Sequence, residues 1–409
     1  MTSVVFSGGR VLDPRWDGPR DGVAVLVEGG VIREVSDQPI RSDSATRIDL
    51  GGRVLMPGLI DAHVHVVAAM VNLAQNALQP SSLAAFRAAE VMRGMLMRGF
   101  TTVRDLAGAD RGLADAQRLG LIAGPRLVIC GKALSQTGGH SDSRIRSDES
   151  PPMTGRVGAL GRLVDGVDAV RRAAREELRA GADYIKVMAN GGVSSPTDPI
   201  HMLQFSRAEL EATVEEAENL GTYVAAHVYT DQAIRRAVEC GVHSLEHCNL
   251  IGRETAELAA ARGCWSVPTL ITYERLAVDG ARYGLGADSV AKIETVRRGG
   301  MESLATMRDA GLRMAYGSDL LGEMHVHQSG EFEIRARVLP AIEVLRSATI
   351  YAAELLRLEG RAGIIEPGAD ADLLVVDGDP LTDWRLLEDQ GARIPVIMQA
   401  GRFIKRELH

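Results

Sequence analysis

The sequence predicts an α/β chain, a (β/α)8 TIM barrel with a small β-sandwich domain built from its two ends. Three observations predict this. Between residues 57 and 359, strand-like apolar runs alternate with longer helix-compatible stretches, and parallel strands need such crossovers. That middle part spans roughly 300 residues, within the usual size of a barrel. Residues 1–56 and 360–409 instead show short strands and glycine turns, so the two ends are expected to meet in one composite domain. A doubly wound open sheet is the alternative. It is disfavoured because no Gly-x-Gly-x-x-Gly turn follows the first strand.

At the N-terminal end, Ala24-Val25-Leu26-Val27 and Val31-Ile32-Arg33-Glu34-Val35 flank Glu28-Gly29-Gly30, a hairpin signal because glycine tolerates positive φ. Barrel strands are then expected over 59–65, 101–105, 126–131, 184–188, 223–227, 243–247, 265–270 and 314–319. Helices are expected over 83–98, 166–180, 207–220, 231–240, 253–262 and 289–310. After residue 360, Glu366-Pro367-Gly368 makes a turn before the buried run 373–377, and 393–404 offers another pair of strands around Gly401.

Composition narrows the class of function. The chain has 409 residues, 45% of them hydrophobic, enough for a sizeable core. The 46 basic and 54 acidic residues give a formal net charge of -8, against nucleic-acid binding. No apolar run is long enough to span a bilayer, so no membrane partner is expected, and no signal peptide is read at the start. Cys130, Cys240, Cys248 and Cys264 form no Cys-x-x-Cys pair. A reducing, cytoplasmic setting is expected.

In such a barrel the chemistry sits where strands end. The first strand ends Asp61-Ala62-His63-Val64-His65, and residues two apart in a strand share a face. The fourth holds Lys186 amid Ile185, Val187 and Met188, where an unpaired ammonium would be costly. The fifth ends at His227, the sixth at Glu246-His247 and the eighth at Ser318-Asp319. Singly, each histidine reads as structural and Asp319 as a helix cap. Together, on one rim, they read as a site.

These motifs resemble the metal-dependent amidohydrolase superfamily, and the tail Ile365-Glu366-Pro367-Gly368-Ala369-Asp370-Ala371-Asp372-Leu373 resembles its closing β-segment. Thr137-Gly138-Gly139-His140 and Ala226-His227-Val228-Tyr229 are similar to the imidazolonepropionase-like branch, which holds binuclear zinc prolidase-like dipeptidases and ochratoxin-hydrolysing amidases. The resemblance implies two divalent metal ions, zinc by default. His63, His65 and Asp319 would hold one and His227 and His247 the other, with Lys186, N6-carboxylated, as the bridge. It implies hydrolysis of the C-terminal amide bond of a dipeptide or N-acyl amino acid by a hydroxide held between the ions. Asp319 is then the natural general base. Tyr229, two residues past His227, is the candidate oxyanion donor. The resemblance also implies substrate contact for His140, and a homo-oligomer is expected.

Further residues are expected near the substrate. Arg144 and Arg146 could clamp a carboxylate, His327 of the second His-x-His pair (His325, His327) could face the substrate, and His201 could line the pocket. Asp198 and Glu323 could favour a basic group. His243, at the start of its strand, is expected to be structural. Two rival readings are a mononuclear deaminase or cyclic-amide hydrolase, and a non-enzymatic assembly protein on the same fold. Lys186 and the residues Val228-Tyr229-Thr230 after His227 argue against the first. The complete ligand set argues against the second.

Overall fold

The computed structural model describes residues 3–195, 197–280, 282–283 and 287–408; Met1, Thr2 and His409, included in the expected terminal β-segments, lie outside them. The α/β part contains β1 Leu59–Val64, β2 Phe100–Asp105, β3 Arg126–Ile129, β4 Ile185–Met188, β5 Val224–Thr230, β6 Ser244–Leu250, β7 Trp265–Val267 and β8 Arg313–Met314. Every pairing among them is parallel. One sheet runs β3-β2-β1, and the other runs from Gly161–Leu163 through Ala133–Ser135 to β4-β5-β6-β7-β8. The third strand is thus broken at Cys130-Gly131-Lys132, and its continuation, Ala133–Ser135, sets Leu134 opposite Val187 of β4. At the other edge the Ala62 N–H donates to the Tyr316 carbonyl at 2.8 Å.

Both faces of the parallel sheets are covered, and β1, β2 and β4 are buried throughout. Each expected helix forms within two residues of its expected ends, for example Ser81–Met97, Arg207–Asn219 and Ala287–Asp309. Local chemistry sets the starts. Ser206 and Glu209 form a capping box, and Thr230 accepts the Ala233 N–H, satisfying donors that the first turn leaves open.

Three differences from expectation have local causes. β7 stops at Val267, since Pro268 has no N–H to extend the ladder. β8 pairs only over Arg313–Met314, so the site-bearing stretch to Asp319 is irregular rather than a strand. The helices Arg111–Arg118 and Leu270–Asp279 were not expected, the second because its apolar start reads as the end of a strand.

The terminal segments do meet. A six-stranded sheet sets Val54–Pro57 antiparallel to Leu373–Val376, then adds Val396–Gln399 and Arg402–Arg406. A four-stranded sheet carries the expected hairpin, Ala24–Glu28 against Val31–Ser36. Phe6, Val25 and Ile48 of the second sheet pack with Leu55, Val375 and Met398 of the first in one core. Among the described residues, no helix is long and apolar enough to cross a membrane.

Candidate metal centre

β1 delivers His63, and the residue that follows the strand, His65, into a cavity of about 460 Å³. His63 Nδ1 lies 2.8 Å from Glu246 Oε2, while Glu246 Oε1 accepts from Arg104 at 2.9 Å and Ser244 Oγ at 2.6 Å. Arg104 also donates to the Ala62 carbonyl at 2.7 Å, and both it and Glu246 are fully buried. With Nδ1 committed, His63 Nε2 faces Asp319 Oδ1 at 3.3 Å; His65 Nε2 reaches the same oxygen at 3.0 Å. One ligand atom from each of the three lies within 4.8 Å of the others.

Asp319 achieves this in a left-handed conformation, φ 50°, which costs a non-glycine residue roughly 1–3 kcal/mol. Asp61 holds the bend. Its carboxylate accepts from Ser318 Oγ at 2.6 Å, from the Ser318 N–H at 3.2 Å and from Gln328 Nε2 at 2.9 Å. The Asp319 N–H closes on the His63 carbonyl at 2.8 Å.

Across the cavity, Lys186 and Met188 of β4, His227 and Tyr229 of β5, and His247 of β6 line the same space. His247 Nδ1 is 2.8 Å from Thr269 Oγ1, 2.9 Å from Tyr273 Oη and 4.0 Å from Asp319 Oδ2. Tyr273 donates to Tyr229 Oη at 3.0 Å. His140 stacks on His227 at 4.2 Å between ring centroids, with Nδ1 2.8 Å from Ser195 Oγ.

Electrostatics divides these groups. Burial alone would raise Glu246, but Arg104 and His63 outweigh it and hold the carboxyl well below its usual range. Burial opposes charge on His63, yet Asp319 and Glu246 hold its pKa above the ordinary value. Asp319 stays ionised because the surrounding histidines outweigh its burial. Burial pushes His227 and His247 far below the usual imidazole range, helped by neighbouring cationic groups. Burial also lowers Lys186 to about 8. Imidazole nitrogens converging on an ionised, largely buried carboxylate are the donor set a divalent cation takes. The residues present fit such an ion.

The remaining expectations fare unevenly. Arg144 lines the cavity, but Asp142 already occupies its fork through Nε and Nη2, both at 2.8 Å. His327 is not among the cavity-lining residues. It ends the 3-10 helix Gly322–His327 beside Arg275 and Asp279. Residues two apart in such a turn cannot share a face, and the inward place goes to His325, whose Nε2 meets the Ala68 carbonyl at 3.1 Å. Arg146 and His201 are exposed. Asp198 is buried against His140 and Gln204, and Glu323 is exposed beside Arg282, so neither offers the cavity a carboxylate. His243 packs on Tyr223, away from the cavity. Glu246, Arg104, Thr269 and Tyr273 were not foreseen. Only Glu246, adjacent to a called histidine, carried a sequence signal.

The chain belongs to the amidohydrolase family, whose profile matches residues 54–402. It is a hydrolase of carbon–nitrogen bonds. The ochratoxinase of Aspergillus niger is 29% identical, over 98% of this chain and 86% of its own. A solved amidohydrolase structure is 52% identical, with a TM-score of 0.98 and all of both chains covered. A prolidase solved in complex with N-methylphosphonate-L-proline is 50% identical, with a TM-score of 0.97, covering 99% of this chain and 100% of its own. The fold is therefore of the TIM-barrel type shared by these relatives.

Proposed function

We propose that this protein cleaves the C-terminal amide bond of a dipeptide or an N-acyl amino acid, using two divalent metal ions, zinc by the donor set. The observation that carries the reading is the convergence of His63, His65, Lys186, His227, His247 and Asp319 on one cavity. The likeness to a prolidase and an ochratoxinase supports the substrate class. In this reading His63, His65 and Asp319 would hold one ion, His227 and His247 the other, and Lys186, once carboxylated, would bridge them. At a pKa of about 8, about a tenth of Lys186 is neutral amine at pH 7, the form that adds carbon dioxide. When bound, the ions would lower the pKa of coordinated water to about 7 and polarise the scissile carbonyl.

The chain's own groups supply the rest. Asp319 accepts the proton of the attacking water on Oδ1 or Oδ2 and passes it to the leaving amine. Tyr229 accepts from Tyr273, so its own O–H remains to donate to the carbonyl oxygen as charge develops there. Burial keeps both phenols protonated. Arg144, with Nη1 turned to the Ser150 carbonyl at 3.1 Å, retains N–H donors for the substrate carboxylate. The hydrogen bonds joining the ends of β1 and β8 support reading the two parallel sheets as one closed barrel over 57–359, with 1–56 and 360–409 as the composite β-sandwich domain.

Metal analysis of the purified protein, paired with a library of dipeptides and N-acyl amino acids, tests the proposal. About two equivalents of metal with release of a C-terminal amino acid is the expected result. One equivalent with release of ammonia, or no turnover on any amide, overturns it.

A further inference from the structure

Lys292 lies outside the cavity, on the helix Ala287–Asp309. Its Nζ donates to three backbone carbonyls, Gly192 at 3.1 Å, Ser195 at 3.2 Å and Asp198 at 2.9 Å. An ammonium has three donors, and all three are committed to the segment after β4. That segment forms the socket of His140. Ser195 Oγ meets His140 Nδ1 at 2.8 Å, with Asp198 Oδ2 behind it at 3.5 Å. The same carboxylate oxygen accepts from the Gly192 N–H at 2.9 Å and from Gln204 Nε2 at 3.0 Å, while Gln204 Oε1 accepts the His140 N–H at 2.9 Å.

Gly192 presses on the imidazole so closely that a Cβ there would sit 1.8 Å from His140 Cε1. The opposite boundary is the His227 ring. Small shifts of this backbone must therefore move His140, because no slack separates them.

We infer that Lys292 is a positioning residue, which fixes the backbone at Gly192, Ser195 and Asp198 and through it holds His140 over the cavity floor; its effect on turnover rests on the proposed amide hydrolysis. Lys292→Met keeps the length of the side chain and removes the donors. Hydrogen exchange of peptides covering 189–206 reads the latch without any substrate. The expected result is faster exchange there at unchanged metal content. Turnover is read as a double-mutant cycle with His140→Ala. Lys292→Met alone is expected to lower kcat/KM roughly 10- to 100-fold, as a small misplacement does, and to add nothing once His140 is gone. Lys292→Arg, which retains donors, should restore part of the loss.

Unchanged exchange in Lys292→Met overturns the inference, and so does a loss that adds in full to that of His140→Ala. Should Lys292→Met not fold, Lys292→Gln, whose shorter side chain cannot reach all three backbone carbonyls, enters the same cycle in its place. If the wild type hydrolyses no amide, the functional reading fails, and the exchange measurement still decides for or against the latch.

Discussion

On one side of the cavity, His63 is braced by a buried ion pair, Glu246 with Arg104. On the other, His247 is braced by the hydroxyls of Thr269 and Tyr273, and His227 by the stacked ring of His140. Both sides present buried imidazoles, yet their pKa values move in opposite directions, up for His63 and far down for His227 and His247. The difference is set first by Asp319, whose carboxylate faces His63, and then by the backing Glu246, whereas burial and cationic neighbours lower the other two rings. A carboxylate behind an imidazole makes the ring more basic and fixes its tautomer. A hydroxyl orients the ring without adding charge.

Substitutions that remove what the two halves share should have the largest effect. Lys186→Ala and Asp319→Asn are each expected to lower kcat roughly 10³-fold or more with an unchanged circular dichroism spectrum; wild-type rates in either would break the scheme. Next comes the ionic brace. Glu246→Gln leaves Arg104 buried without its counter-charge, expected to cost about 3–5 kcal/mol in denaturant unfolding and roughly 10- to 100-fold in metal affinity. Tyr229→Phe, which removes the acceptor of the Tyr273 hydroxyl but no proposed ligand, should lower kcat roughly 100-fold at unchanged metal content, and unaltered kinetics would remove the phenol from the oxyanion role.

Lys186 offers a pH test. Its folded pKa of about 8 lies below the ordinary 10.5, so between those values the unfolded chain binds the proton and the folded chain does not. The unfavourable burial of the charge is complete below pH 8 and disappears as pH rises towards 10.5. The stability of the metal-free wild type, measured relative to Lys186→Met, should therefore rise across that window. A flat difference would mean that the lysine is not desolvated. The smallest effect should come from the neutral brace, where Thr269→Val is expected to cost about 1 kcal/mol. A loss equal to that of Glu246→Gln would abolish the distinction between the halves.

Much of the site was legible because it follows from periodicity. His63 with His65, and His227 with Tyr229, face one way because strand residues two apart must, and the cavity holds all four. Glu246 and His247 could not be read so. Neighbours in a regular strand point to opposite faces, yet here Glu246 meets His63 while His247 also lines the cavity. The reconciling feature is a positive φ of 77° at His247, followed by 56° at Cys248, which turns the chain at that point. His327 failed for a related reason, because a His-x-His pair shares a face in a strand and not in the 3-10 helix that forms there.

By itself, then, the sequence carried the alternation of strands and helices, the expectation that the two ends pair, and the expectation that His63, His65, Lys186, His227, His247 and Asp319 share one rim. These depend on local pattern, burial and chain order. Only the tertiary structure decided which partner stands behind each of those side chains. Arg104 meets Glu246 across 142 positions of sequence, and Lys292 meets Asp198 across 94. Such pairings follow from how elements pack in space, and no spacing along the chain encodes them.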